Sequence, residues 1–197
     1  MAEMKPFSEA CEENKRPILE VLKRLFNHTE QVLEIGSGTG QHAVFFAESL
    51  PHLFWQTSDR QEHHPGIRAW LDAASLPNVG RPVSLDVMQA WPTQTYDAVF
   101  SANTTHIMSW PEVECFFQGV SRVLESRGQF VLYGPFNFAG DYTSESNRRF
   151  DQWLKERDPN SGIRNFEDLN LLASRHGLNF QEDIPMPVNN RILVWRK

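Results

Sequence analysis

Val32-Leu33-Glu34-Ile35-Gly36-Ser37-Gly38-Thr39-Gly40-Gln41-His42 decides how the rest of the chain is read. A short apolar run meets three glycines at alternate positions. That pattern is a buried strand ending in a tight loop. Glycine there accepts positive φ and leaves bare main chain against which a large ligand can lie. The spacing is G-x-G-x-G, and Gln41 stands where a dinucleotide-binding fingerprint has its third glycine.

Working outward, the apolar spacing predicts helices over 14–26, 41–49, 67–74, 111–124, 144–156 and 165–175. Leu19, Leu22 and Leu25-Phe26 recur at helical spacing in the first, and Pro17 suits its first turn. Pro51 stops the second helix, and Gly128 is expected to cap the exit of the fourth. Strands are predicted over 31–35, 53–58, 82–85, 96–101, 129–133, 180–184 and 192–195. Strands alternating with helices imply a parallel sheet. The last two strands are joined only through Pro185 to Asn190, too short a link for a crossover, so they must run antiparallel. The expectation is an α/β fold: a mostly parallel seven-stranded sheet with an antiparallel last strand, helices on both faces, and a single domain spanning 1–197. An all-parallel dinucleotide-binding sheet would not close this way.

The bulk composition narrows the partners. The chain has 197 residues, a formal charge of −6, and a hydrophobic share of 40%. That length buries one good core. The acidic balance argues against a broad face for DNA or other nucleic acid. Two cysteines, Cys11 and Cys115, form no C-x-x-C pair, so no metal site is expected and a reduced cytoplasmic setting fits. Met1 to Pro17 has no apolar signal core, and no run is long enough to span a membrane. Nothing in the sequence specifies an oligomeric state.

Ligands of such sheets lie beyond the carboxyl ends of the strands, where the strand order reverses. Four predicted strand ends carry suitable groups. Gly36, Ser37, Gly38 and Gly40 offer main-chain N–H groups at a helix start, which favours a carboxylate. Glu34 is placed to take an ammonium group. Asp59 lies 19 residues past Gly40, the usual distance for a carboxylate that accepts from ribose hydroxyls. Asp86 would accept from an adenine amino group while Val87 packs on the ring. Asn103 follows the fourth strand on the sulfonium side. Together these positions fit S-adenosylmethionine (SAM) better than a nicotinamide dinucleotide.

At these residues the chain resembles the Rossmann-like class I SAM-dependent methyltransferases. More narrowly, it resembles a small family that includes methyltransferase-like protein 26. The similar segments are Ser8 to Leu19, Glu34 to His42, Trp55 to Asp59, Asn103 to Ile107, Tyr133 to Phe136 and Met186 to Asn190, with others covering nearly the whole chain. The resemblance implies this fold and SAM as cofactor, and it supplies no acceptor. Only through it do Asn14 and Lys15 become candidates beside the substrate.

Transfer of a methyl group from a sulfonium is an in-line displacement governed by positioning. A base is required only where the acceptor must lose a proton. His106 is the candidate base or orienting group, and Tyr133 a candidate catalytic residue lining the acceptor pocket. Arg164, with Arg148-Arg149 and Arg157, would suit an acidic or phosphorylated small acceptor. The Asn-Pro-Pro-aromatic motif of many amide and adenine methyltransferases is absent after strand four. A small molecule is therefore the expected acceptor. Two alternatives stand beside this reading. One is a SAM-binding protein without turnover that acts as a sensor or interaction partner. The other is a nicotinamide oxidoreductase, which lacks both Gly at position 41 and a Tyr-x-x-x-Lys pair.

Overall fold

The computed structural model describes residues 5–197; residues 1–4, which the single-domain expectation included, lie outside the described residues. In chain order the elements are α1 (Glu9–Leu25), β1 (Gln31–Ile35), α2 (Gln41–Ser49), β2 (Phe54–Asp59), α3 (His64–Ala74), β3 (Val79–Ser84), β4 (Tyr96–Ala102), α4 (Trp110–Val123), β5 (Leu124–Gly134), β6 (Phe136–Asn137), α5 (Glu145–Arg157), β7 (Arg164–Asn165), α6 (Phe166–Arg175), β8 (Asn179–Pro185) and β9 (Arg191–Arg196).

Seven strands form one sheet in the order β3-β2-β1-β4-β5-β9-β8, and β6 pairs with β7 in a separate two-stranded ribbon. Strands β1 to β5 pair in parallel, whereas β9 runs antiparallel to both β5 and β8. The expected antiparallel closure is therefore present, and β9 alone runs against the rest. Chain order reverses between β1 and β4, so the crevice for a ligand opens beyond Ile35 and Ala102.

Period-two alternation splits the sheet's side chains into two cores. Val32, Ala98, Phe100, Val131 and Val194 point to the face covered by α1 and α2. Leu33, Ile35, Val99, Phe130, Leu132 and Trp195 point to the face covered by α4 and α6. Glu34 shares the parity of Val32 and is carried into the first of these cores, which explains its burial.

Three element expectations need correction. Helix α1 begins at Glu9 because the Ser8 side chain accepts from the Cys11 N–H at 3.3 Å, a side-chain N-cap. Pro17 consequently lies inside the helix, where it lacks an N–H to donate to the preceding turn. Gly128 does not end α4. That helix passes straight into β5 at Leu124, and Gly128 lies within the strand, where a Cβ would stand 2.9 Å from the Asp97 carbonyl oxygen. The glycine serves a close approach of two backbones rather than a cap. Finally, the short ribbon of Phe136-Asn137 and Arg164-Asn165 was not expected. Two-residue strands leave no periodic signal.

Candidate cofactor cleft and adjoining cavity

The loop after β1 is shaped by its glycines. Gly36, Gly38 and Gly40 have φ of 76°, 55° and 90°. A Cβ on Gly36 would stand 2.6 Å from Thr104 Cγ2, and one on Gly40 would stand 3.1 Å from Ile67 Cα, whereas one on Gly38 would meet nothing. The first and third glycines let neighbouring segments close in. The second faces open space.

Several loop N–H groups that the sequence reading offered to a carboxylate already have partners. Gly36 and Ser37 donate to the Ser58 carbonyl at 3.0 Å each, and Gly40 donates to the Ser37 carbonyl at 2.8 Å. Gly38 donates to Asp59 Oδ2 at 2.7 Å. The physical reason is the turn itself, which folds its donors back onto β2. Ser37 also accepts from the Ser58 N–H through its hydroxyl at 3.1 Å.

This loop forms one wall of a cleft of about 500 Å3. Asp59 and Arg60 give it a polar side, Leu85, Val87 and Met108 an apolar side, and Ala102 and Asn103 its end. Asp59 reaches the cleft with both carboxylate oxygens engaged once, by the Gly38 and Arg60 main-chain N–H groups. Each oxygen keeps a lone pair for a hydroxyl donor. Asp86 is not on the wall. Its Oδ1 accepts from the Met88 N–H at 2.9 Å, an Asx turn, and only Val87 beside it lines the cleft.

Glu34, two residues before Gly36, is buried and does not line the cleft. Its carboxyl accepts from Trp55 Nε1 at 3.2 Å. Burial raises its pKa to about 7, against the lowering effect of the Ser37 hydroxyl and the Trp55 indole N–H. Burial therefore keeps this carboxyl partly protonated near neutral pH.

The start of α1 closes over this cleft and contributes Ser8, Ala10 and Cys11 to its lining. Gln41, the residue in place of a third glycine, holds that segment. Its Oε1 accepts from the Ser8 N–H at 2.6 Å and its Nε2 donates to the Ser8 carbonyl at 3.4 Å. In the sequence Gln41 only breaks a dinucleotide fingerprint, and spacing alone carries no signal for its long-range partner.

A second cavity, also about 500 Å3, adjoins the first and shares Ala10, Asn103 and Ile107 with it. Its walls bring together Asn14, His106 and Tyr133 with Phe150 and Trp153 of α5. Asn14 bonds His42 Nε2 at 2.7 Å and also reaches the Tyr133 hydroxyl. Burial pushes the Tyr133 phenol up to about 12, partly offset by Asn14. His106 is buried, and burial together with the charge of Arg164 lowers its pKa to about 4, so the ring is neutral above that pH.

Two other expected substrate residues lie elsewhere. Lys15 pairs with Glu12 and lies over the Phe45 ring at 4.8 Å. Arg164 donates Nε to the Thr105 carbonyl at 3.1 Å and Nη2 to the carbonyls of Met108 and, at 2.8 Å, Asn160. Its guanidinium fork fastens the loop that carries His106 instead of facing an acceptor. Asp151, a residue the sequence reading did not single out, fastens the other side. Its oxygens accept from the Ile163 N–H at 2.7 Å, from the Tyr142 hydroxyl at 2.6 Å and from Lys155 Nζ at 2.6 Å.

Comparison with solved structures places the fold. SibL, a SAM-dependent methyltransferase, superposes with a TM-score of 0.82 at 19% identity, covering 95% of this chain and 55% of that one. An O-methyltransferase family 2 protein from Planctomyces limnophilus, solved in complex with apigenin, gives 0.82 at 13% identity over 95% of this chain and 57% of that one. PigF with S-adenosylhomocysteine (SAH) gives 0.79 at 14% identity over 92% and 61%. The chain thus spans little more than half the length of these proteins. The architecture is the Rossmann-like α/β fold that such methyltransferases share. In sequence, residues 5–197 match a family profile, and the chain belongs to the family described as "Protein of unknown function (DUF938)".

Proposed function

We propose that this protein is a SAM-dependent methyltransferase whose acceptor is a small molecule. The observation that carries this reading is the cleft at the β1–β4 reversal. Its glycine loop, Asp59 and an apolar slot at Leu85 and Val87 supply groups suited to an adenosyl sulfonium amino acid, and Glu34 is buried behind the loop, outside the cleft lining. The residues fit the cofactor. Asp59 would accept from the ribose hydroxyls, Val87 would pack on adenine, and Glu34 would draw the ammonium end. When bound, SAM supplies an activated methyl group on sulfur. Likeness to methyltransferase folds supports this assignment, including one solved with SAH and one with apigenin. The resemblance to the family that includes methyltransferase-like protein 26 belongs to the same reading.

In the adjoining cavity His106 accepts the proton of an acceptor hydroxyl as the new bond to carbon forms. The neutral ring is available for this above pH 4. Tyr133 and Asn14 orient the acceptor, and Asn103 stands in the wall common to both spaces.

Equilibrium binding of SAM to the wild type and to Asp59→Ala tests the cleft. The wild type should bind in the micromolar range and the variant about tenfold or more weaker, the loss of a pair of charge-assisted hydrogen bonds. Absence of wild-type binding at millimolar SAM overturns the assignment.

A further inference from the structure

The second cavity also indicates what kind of molecule it receives. We propose that it takes an uncharged, flat, largely apolar molecule and presents a hydroxyl of that molecule to His106 and Asn103. This rests on the reading of the first cleft as the SAM site.

The shape comes first. Phe150 and Trp153, one helical turn apart on α5, stack with their planes 18° apart, and the His106 ring meets Phe150 edge-on at 5.3 Å. Pro135 and Leu154 add apolar surface, and Val188 extends it at the exposed rim. Flat apolar surfaces of this kind favour a flat apolar guest.

Charge decides next. None of the arginines that the sequence offered to an acidic acceptor lines the cavity, and three of them have other partners. Arg164 holds three carbonyls, Arg157 lies over the Trp153 ring at 4.5 Å, and Arg148 is 3.3 Å from Glu145. Among the described residues, no lysine or arginine lines the cavity, and its one charged lining residue is the exposed Glu13. An anion would lose its hydration and gain no counter-charge. A cation would find no carboxylate at depth.

The polar end selects the reacting group. A Cβ on Gly134 would stand 3.8 Å from Phe136 Cζ and 3.9 Å from both Asn103 Oδ1 and His106 Nδ1, so these two polar atoms of the cavity wall lie close to one point. A hydroxyl donates to such a site, and an ether or hydrocarbon does not.

Three probes on one naphthalene ring system separate the classes: 2-naphthol, naphthalene-2-sulfonate and 2-(aminomethyl)naphthalene. Each is titrated calorimetrically into protein saturated with SAH. The 2-naphthol should bind about tenfold or more tighter than either charged analogue, because each ion leaves its charge unpaired. Phe150→Ala should weaken 2-naphthol by a similar factor while SAH binding is unchanged, since Phe150 does not line the first cleft. Trp153→Ser, at an exposed position, repeats the test if the first variant does not fold. Equal or tighter binding of the sulfonate or the amine overturns the proposal, as does absence of binding by all three. If SAH fails to bind while the naphthol preference persists, the reading of the first cleft falls and the ligand class of the second cavity stands.

Discussion

Glu34 is an acid buried within the core, with its pKa raised by that burial. With its folded pKa raised to about 7 from 4.5, the folded state holds a proton that the unfolded state has released between those pH values. The resulting stabilisation is present below pH 4.5 and is lost as pH rises through 7. Gln at this position mimics the protonated acid and does not titrate. Glu34→Gln should therefore gain about 2 kcal/mol on the wild type between pH 5 and pH 8, read from urea midpoints of the ligand-free protein. A constant difference across that range would refute the buried acid. His106 makes a complementary prediction for catalysis. His106→Ala should lower kcat about 100-fold or more with KM for SAM unchanged. The wild-type acid limb should lie near pH 4, not 6.5, because the ring stays unprotonated down to about pH 4.

At the scale of elements, the working parts are held by long-range side-chain contacts. Arg164 of β7 fastens the loop of His106, and the fork geometry of its three carbonyl bonds cannot be reproduced by a lysine ammonium. Arg164→Ala and Arg164→Lys should both lower the thermal midpoint by about 4–8 °C, the size expected for about 2 kcal/mol lost in a chain of this length. Both should reduce kcat more than they raise the acceptor KM. A rise in acceptor KM alone would return Arg164 to direct contact with substrate. Gln41→Ala removes the bond to Ser8, so amide exchange at residues 8–13 should accelerate and bound SAM should dissociate faster. Elements of this kind explain what the sequence left hidden. Helices and strands with strong periodicity were legible because burial repeats along them. The partners of Gln41, Arg164 and Asp151 were not, because a polar side chain finds its acceptors only after distant segments have met. Asp86 shows the same limit from the other side. An acid after a strand serves a turn or a ligand equally well in sequence, and only the fold reveals that its Oδ1 turns back to Met88.

For the whole molecule, two buried imidazoles reduce stability in acid, alongside the carboxylates of Asp151 and Glu112, which, against the effect of burial, hydrogen bonds hold below their ordinary pKa. Burial lowers both His42 and His106 to about 4 from 6.5. The unfolded chain takes up both protons as pH falls through 6.5, while the folded chain takes up neither until about 4. Stability is lost across that window, by up to about 3 kcal/mol for each ring. The proton gained by Glu34 opposes part of this loss, so wild-type thermal midpoints should fall between pH 6.5 and 4, and those of Glu34→Gln more steeply. NMR of labelled histidines should find both rings unprotonated at pH 5.5. Their protonation at that pH would overturn the assignment.

Asn103 has a left-handed backbone, with φ of 60°, and belongs to the walls of both cavities. Adjoining spaces with shared walls can hold two guests side by side. If the chain turns over as proposed, both spaces must be full when the methyl group moves, and steady-state rates should follow intersecting lines when each concentration is varied against the other.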